Sequence, residues 1–191
     1  MVIGYLISVV LGIFLGLTIA RFKYLTENLS SMILGLQTLP SICWLPFALL
    51  WYGPNESAII FLIAIGSTFA ITLATLSGIQ NVNPIFIRAG KTLGAKGFRA
   101  YKDIIIPASL PILIAGLKQG WAFAWRGLMA GEMISATRGL GQVLMAGREW
   151  GGISQVVAVM VVIIFLGLTI DKLVFSNIEA NIRFRWGLNK T

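Results

Sequence analysis

The sequence predicts an all-α, polytopic membrane protein of about five transmembrane helices, with one long basic loop on the cytoplasmic side. Three observations predict it. Hydrophobic residues make up 57% of the 191-residue chain, charged residues only 12%, and the mean hydropathy is +0.86. A soluble domain of this size carries about twice that charged share. Uncharged runs recur at the ~20-residue length that one helical crossing of a bilayer needs. Basic residues gather on alternate connections between those runs, the signature of a positive-inside topology. No long linker, low-complexity tract or clear internal repeat divides the chain, so residues 1–191 read as one membrane domain.

The first span covers residues 2–20, VIGYLISVVLGIFLGLTIA, which carry no charge and stop at Arg21 and Lys23. The basic residues follow the apolar run, whereas a cleaved signal sequence starts with them, so this span is retained. Residues 29–52 hold Pro40 and Pro46, each of which removes a helix hydrogen bond. A broken span survives in a membrane where neighbours cover the loosened backbone, so this segment reads as broken and interior-facing. Residues 57–79 are uncharged throughout and form the third span. The basic loop 80–106 follows. Residues 107–131 form the fourth span although they carry Lys118 and Arg126, and residues 150–170 form the fifth, between Glu149 and Asp171. Trp51, Tyr52 and Trp150 stand at span ends, as interface anchors do.

With five spans, one side receives Arg21, Lys23, Arg88, Lys91, Lys96, Arg99, Lys102, Lys172, Arg183, Arg185 and Lys190, and the other only Arg138 and Arg148. Deleting the broken span would set Arg21 and Lys23 opposite the cluster 88–102. The charge pattern therefore favours five spans, an external N-terminus and a cytoplasmic C-terminus.

Composition also excludes classes of function. The chain has no histidine, a single cysteine (Cys43) and seven scattered acids. Histidine-based catalysis, histidine metal sites and an intrachain disulfide are removed together. The net charge of +8 would suggest nucleic acid in a soluble protein. Here it follows from topology, and no nucleic-acid partner is expected.

Residues 88–97, RAGKTLGAKG, contain Gly90-Lys91-Thr92, the tail of a phosphate-binding loop. Such a loop needs a glycine five residues earlier and a preceding strand. Ile85 stands there, behind a membrane span and Asn83-Pro84, so nucleotide binding by this chain is not supported. Ile85, Arg88, Ala89, Thr92 and Leu93 instead fit a short amphipathic helix over about 86–94, capped by Gly94 in a left-handed backbone. A second short helix is expected from about Gly97, with Phe98 and Tyr101 on one face, entering the membrane at Ile104. On charge alone this is also what a basic loop against anionic lipid looks like.

The loop resembles the cytoplasmic EAA loop of the membrane subunits of binding-protein-dependent ABC importers. That pattern runs Glu-Ala-Ala, three residues, Gly, nine residues, Ile, one residue, Leu-Pro. Arg88, Ala89 and Gly90 stand at its first three positions, Gly94 on the glycine, Ile104 on the isoleucine, Ile106 on the leucine and Pro107 on the proline. The spacing is kept, while the acid is replaced by Arg88 and an ion pair there is not carried over. The stretches 38–57, 88–98, 104–134 and 139–147 resemble the nitrate/sulfonate/taurine branch. Members of that branch usually carry one more span ahead of the first seen here, so the resemblance implies either a start at a late methionine or a five-span form.

The resemblance implies a permease subunit of an ATP-driven importer in a bacterial plasma (inner) membrane. The helix at about 86–94 would dock on a separate ATP-binding subunit, with Leu93 and Phe98 as apolar contacts and Ala89, Gly90 and Gly94 allowing close approach. ATP and Mg would be held by that partner, and no cofactor by this chain. A second permease copy and an external substrate-binding protein complete the implied assembly. The solute would be a small anion such as a sulfonate, taurine or nitrate. A secondary transporter, or a scaffold without an ATPase partner, is the alternative. The transporter calls for intramembrane acids, and the sequence sets none well inside a span.

Three polar residues are path candidates. Arg126 either snorkels to headgroups or faces the path, where its planar guanidinium suits anionic oxygens. Glu132 opens the outer loop, either solvated, paired with an arginine or touching the binding protein. Thr72, with Thr68 and Thr75 in the third span, lines a polar path or bonds to its own helix. Gly12-Gly16, Gly116-Gly120 and Gly127-Gly131 are small-xxx-small pairs that let helices pack closely.

Overall fold

Small residues at every fourth position decide the packing. The computed structural model describes residues 1–95, 97–134 and 138–185, and these are helices and short turns with no strand. Helix α1 (Val2–Arg21) turns Gly4, Ser8, Gly12 and Gly16 inward. They lie against α4, the 25-residue helix Glu56–Gln80. Helix α7 (Ile106–Ile134) turns Gly116, Gly120, Ala124, Gly127 and Gly131 onto a neighbouring face of α4. Ile71 of α4 is pinched between them: a Cβ on Gly12 would come within 2.7 Å of its Cβ, and one on Gly120 within 2.7 Å of its Cγ1. Lipid tails are as apolar as leucine, so close backbone approach, not water exclusion, holds such helices together. Ser8 adds polar contacts, its hydroxyl donating to Gly4 O at 2.8 Å and Ala64 O at 3.2 Å. Tyr5 donates to Leu117 O at 2.8 Å and meets Trp121 edge to face, tying α1 to α7.

The remaining elements flank this three-helix slab. Helix α2 (Lys23–Thr38) is joined through Pro40 and a 3₁₀ turn, Ser41–Trp44, to α3 (Leu45–Tyr52), with a bend of 93°. The break lies at Pro40, where the chain is extended. Pro46 opens α3 and breaks nothing, because a proline in the first turn has no bond to lose. The segment 21–28, read above as a connection, is helical from Lys23. The broken span is also not interior in the single chain. It buries Ile33, Leu45 and Ala48 on α4 but exposes Met32, Leu34, Leu50 and Trp51.

The last span is longer than its charges suggested. Helix α8 (Leu140–Glu149) folds back on α7, and α9 (Ile153–Ile170) continues through a π-helical turn, Asp171–Ser176, into α10 (Asn177–Arg185). Residues Ile153–Ile182 make one continuous helix of 30 residues, so Asp171 and Lys172 lie within that helix rather than at its end. Four helices are long and apolar enough to cross a membrane, or five with the bent pair as one span. Two faces are wholly apolar, with Val2, Leu6, Val10 and Phe14 on α1 and Val161, Ile164, Phe165 and Leu168 on α9 left exposed. Of the basic residues counted above, Lys96 and Lys190 lie outside the described residues, as do the side chains of Lys23, Arg183 and Arg185.

Candidate coupling loop and intramembrane polar groups

The connection from α4 to α7 is a folded unit. Asn83 caps helix α5 (Pro84–Thr92), its side-chain oxygen accepting from Ile85 N at 3.0 Å, and Pro84 takes the first helical position. The helix thus runs two residues ahead of the expected 86–94. Its C-terminus closes as a Schellman motif: Ala95 N donates to Gly90 O at 2.9 Å and Gly94 N to Lys91 O at 3.1 Å. Gly94 has a φ of 84°, a left-handed conformation that other residues enter only at a cost of roughly 1–2 kcal/mol. Gly97 has a φ of 56° and a ψ of −125° and starts a single α-turn, α6 (Phe98–Ala100). A π-helical turn, Tyr101–Ile105, then leads into α7. The π-turn lies just ahead of Pro107, which cannot donate a backbone bond and whose ring clashes with the carbonyl four residues back.

Gly90-Lys91-Thr92 is therefore helix, and no backbone N–H cradle for phosphate exists there. Gly90 is the one buried residue of α5. Ile104 packs directly on it, in the space a Cβ would fill. Two positions of the EAA-like spacing thus meet, and their contact fastens α5 to the foot of α7. Pro107 lies half-buried in the first turn of α7. The outer side is open: Arg88, Ala89 and Lys91 are exposed, and Leu93 and Phe98 are 88% and 82% exposed. Ile85 and Phe86 extend this apolar, basic-rimmed surface.

The intramembrane polar residues lie in distinct environments. Thr72 is fully buried between α1 and α4, and its hydroxyl donates to Thr68 O at 2.8 Å. It lines no opening in the protomer and serves helix packing. Thr68 and Thr75 likewise donate to Ala64 O and Ile71 O. Glu132 lies in the last turn of α7, not in a loop, and its Oε2 accepts from Gly141 N at 2.9 Å. It caps α8, whose own N-cap, Gly139, has no side chain to do so. Sequence reasoning missed this because the acceptor precedes the helix it caps by a whole turn and a loop. Arg126 is exposed, with its guanidinium carbon 5.4 Å from the Phe123 ring centroid. Lys118 Nζ lies 2.9 Å from Asp171 Oδ2. An acid does stand inside a span, therefore, and a cation from another helix neutralises it.

A polytopic helical membrane protein with an exposed, basic, two-part loop between two of its long helices is the class that this fold and loop define. The chain belongs to the family described as binding-protein-dependent transport system inner membrane component, whose model matches residues 8–183. It is 34% identical over 170 residues to a Methanocaldococcus jannaschii protein with an ABC transporter permease name, covering 88% of this chain and 64% of that one. It is 29% identical over 164 residues to the taurine transport system permease protein of Escherichia coli, covering 86% of this chain and 60% of that one. The chain thus spans less than two thirds of the length of these relatives. Its fold is that of a membrane chain in inward-facing structures of the MetNI methionine ABC transporter. The TM-score is 0.73 at 18% identity, over 94% of this chain and 91% of that one.

Proposed function

We propose that this chain is the membrane-spanning permease subunit of an ATP-driven importer. Its loop, residues 84–105, lies on the cytoplasmic side and docks on a separate ATP-binding subunit. The observation that carries this reading is the pair Leu93 and Phe98. Two large apolar side chains stand almost fully in the open on a basic loop whose first helix is closed at its C-terminus. An apolar surface rimmed by charge marks a protein contact.

The geometry supports a mechanism. A partner pressing on α5 pushes Gly90 against Ile104, and so moves the foot of α7. Helix α7 is locked along α4 by its glycines, and α4 along α1, so the three helices move as one body. Closure of two ATP-binding subunits would then tilt two such slabs between inward-facing and outward-facing states. Two permease copies related by a two-fold axis would enclose one path. An external binding protein would deliver a small anion, of which taurine, other sulfonates and nitrate are the leading candidates. ATP and Mg belong to the partner.

A pull-down tests this. The chain is tagged, extracted from native membranes in mild detergent, and its companions are identified. An ATP-binding subunit is expected with the wild type and is expected to be lost with Leu93→Asp and Phe98→Asp. Recovery of a well-folded chain alone would contradict the reading.

A further inference from the structure

The transmembrane surface is not uniformly apolar. Helices α2, α4 and α7 enclose a groove of about 390 Å³ lined by Leu34, Gln37, Thr38, Ala70, Gln119 and Phe123, among others. Gln119, Phe123 and Arg126 recur at four and three residues on α7, so they share one face. Arg126 stacks over the Phe123 ring that forms part of the groove wall. Gln37 and Gln119 bond to nothing among the described residues, whereas Thr38 donates its hydroxyl to Gly35 O at 2.6 Å. Arg126 has no carboxylate partner among the described residues, and no acid lines the groove.

An unpaired amide in hydrocarbon costs several kcal/mol, and an arginine more. The two amides of the groove and the guanidinium beside it therefore need water or a polar ligand. The lipid-facing surfaces of α1 and α9 show by contrast what this chain presents to hydrocarbon. Two carboxamides line the groove, each able to donate and to accept, and the Arg126 guanidinium lies just beyond the Phe123 wall, about 10 Å along α7 from Gln119 at 1.5 Å rise per residue. Its volume is that of a small-molecule site.

We propose that this groove is the anion-binding stretch of the translocation path, with Arg126 drawing in a small oxyanion or sulfonate and Gln119 and Gln37 holding it beside the Pro40 break. The proposal rests on the importer reading and deepens it, since neither glutamine was marked by sequence.

Thiol accessibility tests it without knowledge of the natural solute. Cys43 is the chain's single cysteine, so Cys43→Ser provides a blank background. Gln119→Cys is introduced there, with Val10→Cys as a lipid-facing control. Native membranes are treated with an anionic sulfonatoethyl thiosulfonate or its cationic trimethylammonium counterpart, each rate being normalised to a free thiol in solution. The Gln119→Cys thiol is expected to react and to favour the anionic reagent by about tenfold, as a focused positive potential does. Adding Arg126→Gln should abolish that preference. The Val10→Cys thiol should stay unmodified. An unreactive Gln119→Cys thiol, or a cationic preference insensitive to Arg126, would overturn the proposal. Each preparation is also checked for the ATP-binding partner. Its absence from the wild type overturns the importer reading itself, whereas its presence beside a failed labelling result overturns the groove alone.

Discussion

Replacing Lys118 with methionine keeps most of the side chain's length and removes the ammonium 2.9 Å from Asp171 Oδ2. The carboxylate is then left alone inside an apolar helix. Insertion scales put an unpaired charge at the bilayer centre at roughly 2.5–3.5 kcal/mol. Both side chains keep more than a third of their surface open in the single chain, 39% and 36%, so screening lowers the figure. A cost of about 1–2 kcal/mol is expected, between the values for exposed and for buried pairs. Asp171→Asn should cost a similar amount. The double variant Lys118→Met with Asp171→Asn leaves no charge and should recover to within about 0.5 kcal/mol of wild type. Thermal unfolding in detergent, followed by tryptophan fluorescence, reads this, because Trp121 stacks with Phe175 at 6.0 Å one turn from the pair. Additive losses in the double variant would show that the two groups do not compensate each other, and would refute the ion-pair account.

The helix-packing glycines should divide cleanly. Gly12→Leu and Gly116→Leu are expected to abolish stable insertion, since α4 backbone and side chains already fill those positions, while Gly35→Leu and Gly167→Leu, which face nothing within 4 Å, should leave expression and melting temperature unchanged. Glu132→Ala removes the acceptor for Gly141 N and should cost about 1 kcal/mol, the usual value of an N-cap. Faster amide exchange at the start of α8 would register it. Gly94→Ala meets open space and should therefore lose only the left-handed backbone term of roughly 1–2 kcal/mol, seen as easier proteolysis of the 84–98 loop with the spans intact.

Much of this fold was legible because membranes simplify the code. Uncharged runs gave α1 and α4, the spacing of Gly12 and Gly16 or Gly116 and Gly120 gave the faces that pack, and Gly94 has the left-handed φ expected of it. Two misreadings share one physical source. Charges were used to end spans, but a charge ends a span only when nothing inside the membrane can pair it. Asp171 is paired by Lys118, far away in sequence, and so the last helix runs on. Glu132 looked like a loop acid because its partner, the bare N-terminus of α8, exists only after the chain has folded back. For Thr72 the sequence left two readings open, a polar path or a bond to its own helix, and the hydroxyl is satisfied one turn back along α4. Gln37 and Gln119 passed unnoticed because uncharged amides break no hydrophobic run, and only the juxtaposition of α2 with α7 brings them to one groove.

The central claim is that the loop between α4 and α7 is where another protein delivers force. A photocrosslinking residue placed at Leu93 in living cells tests it most directly, with Val10 as the lipid-facing control. The account predicts an adduct from position 93 that contains an ATP-binding subunit, and none from position 10. An adduct with lipid alone at position 93, in cells where the chain is inserted and stable, would contradict it.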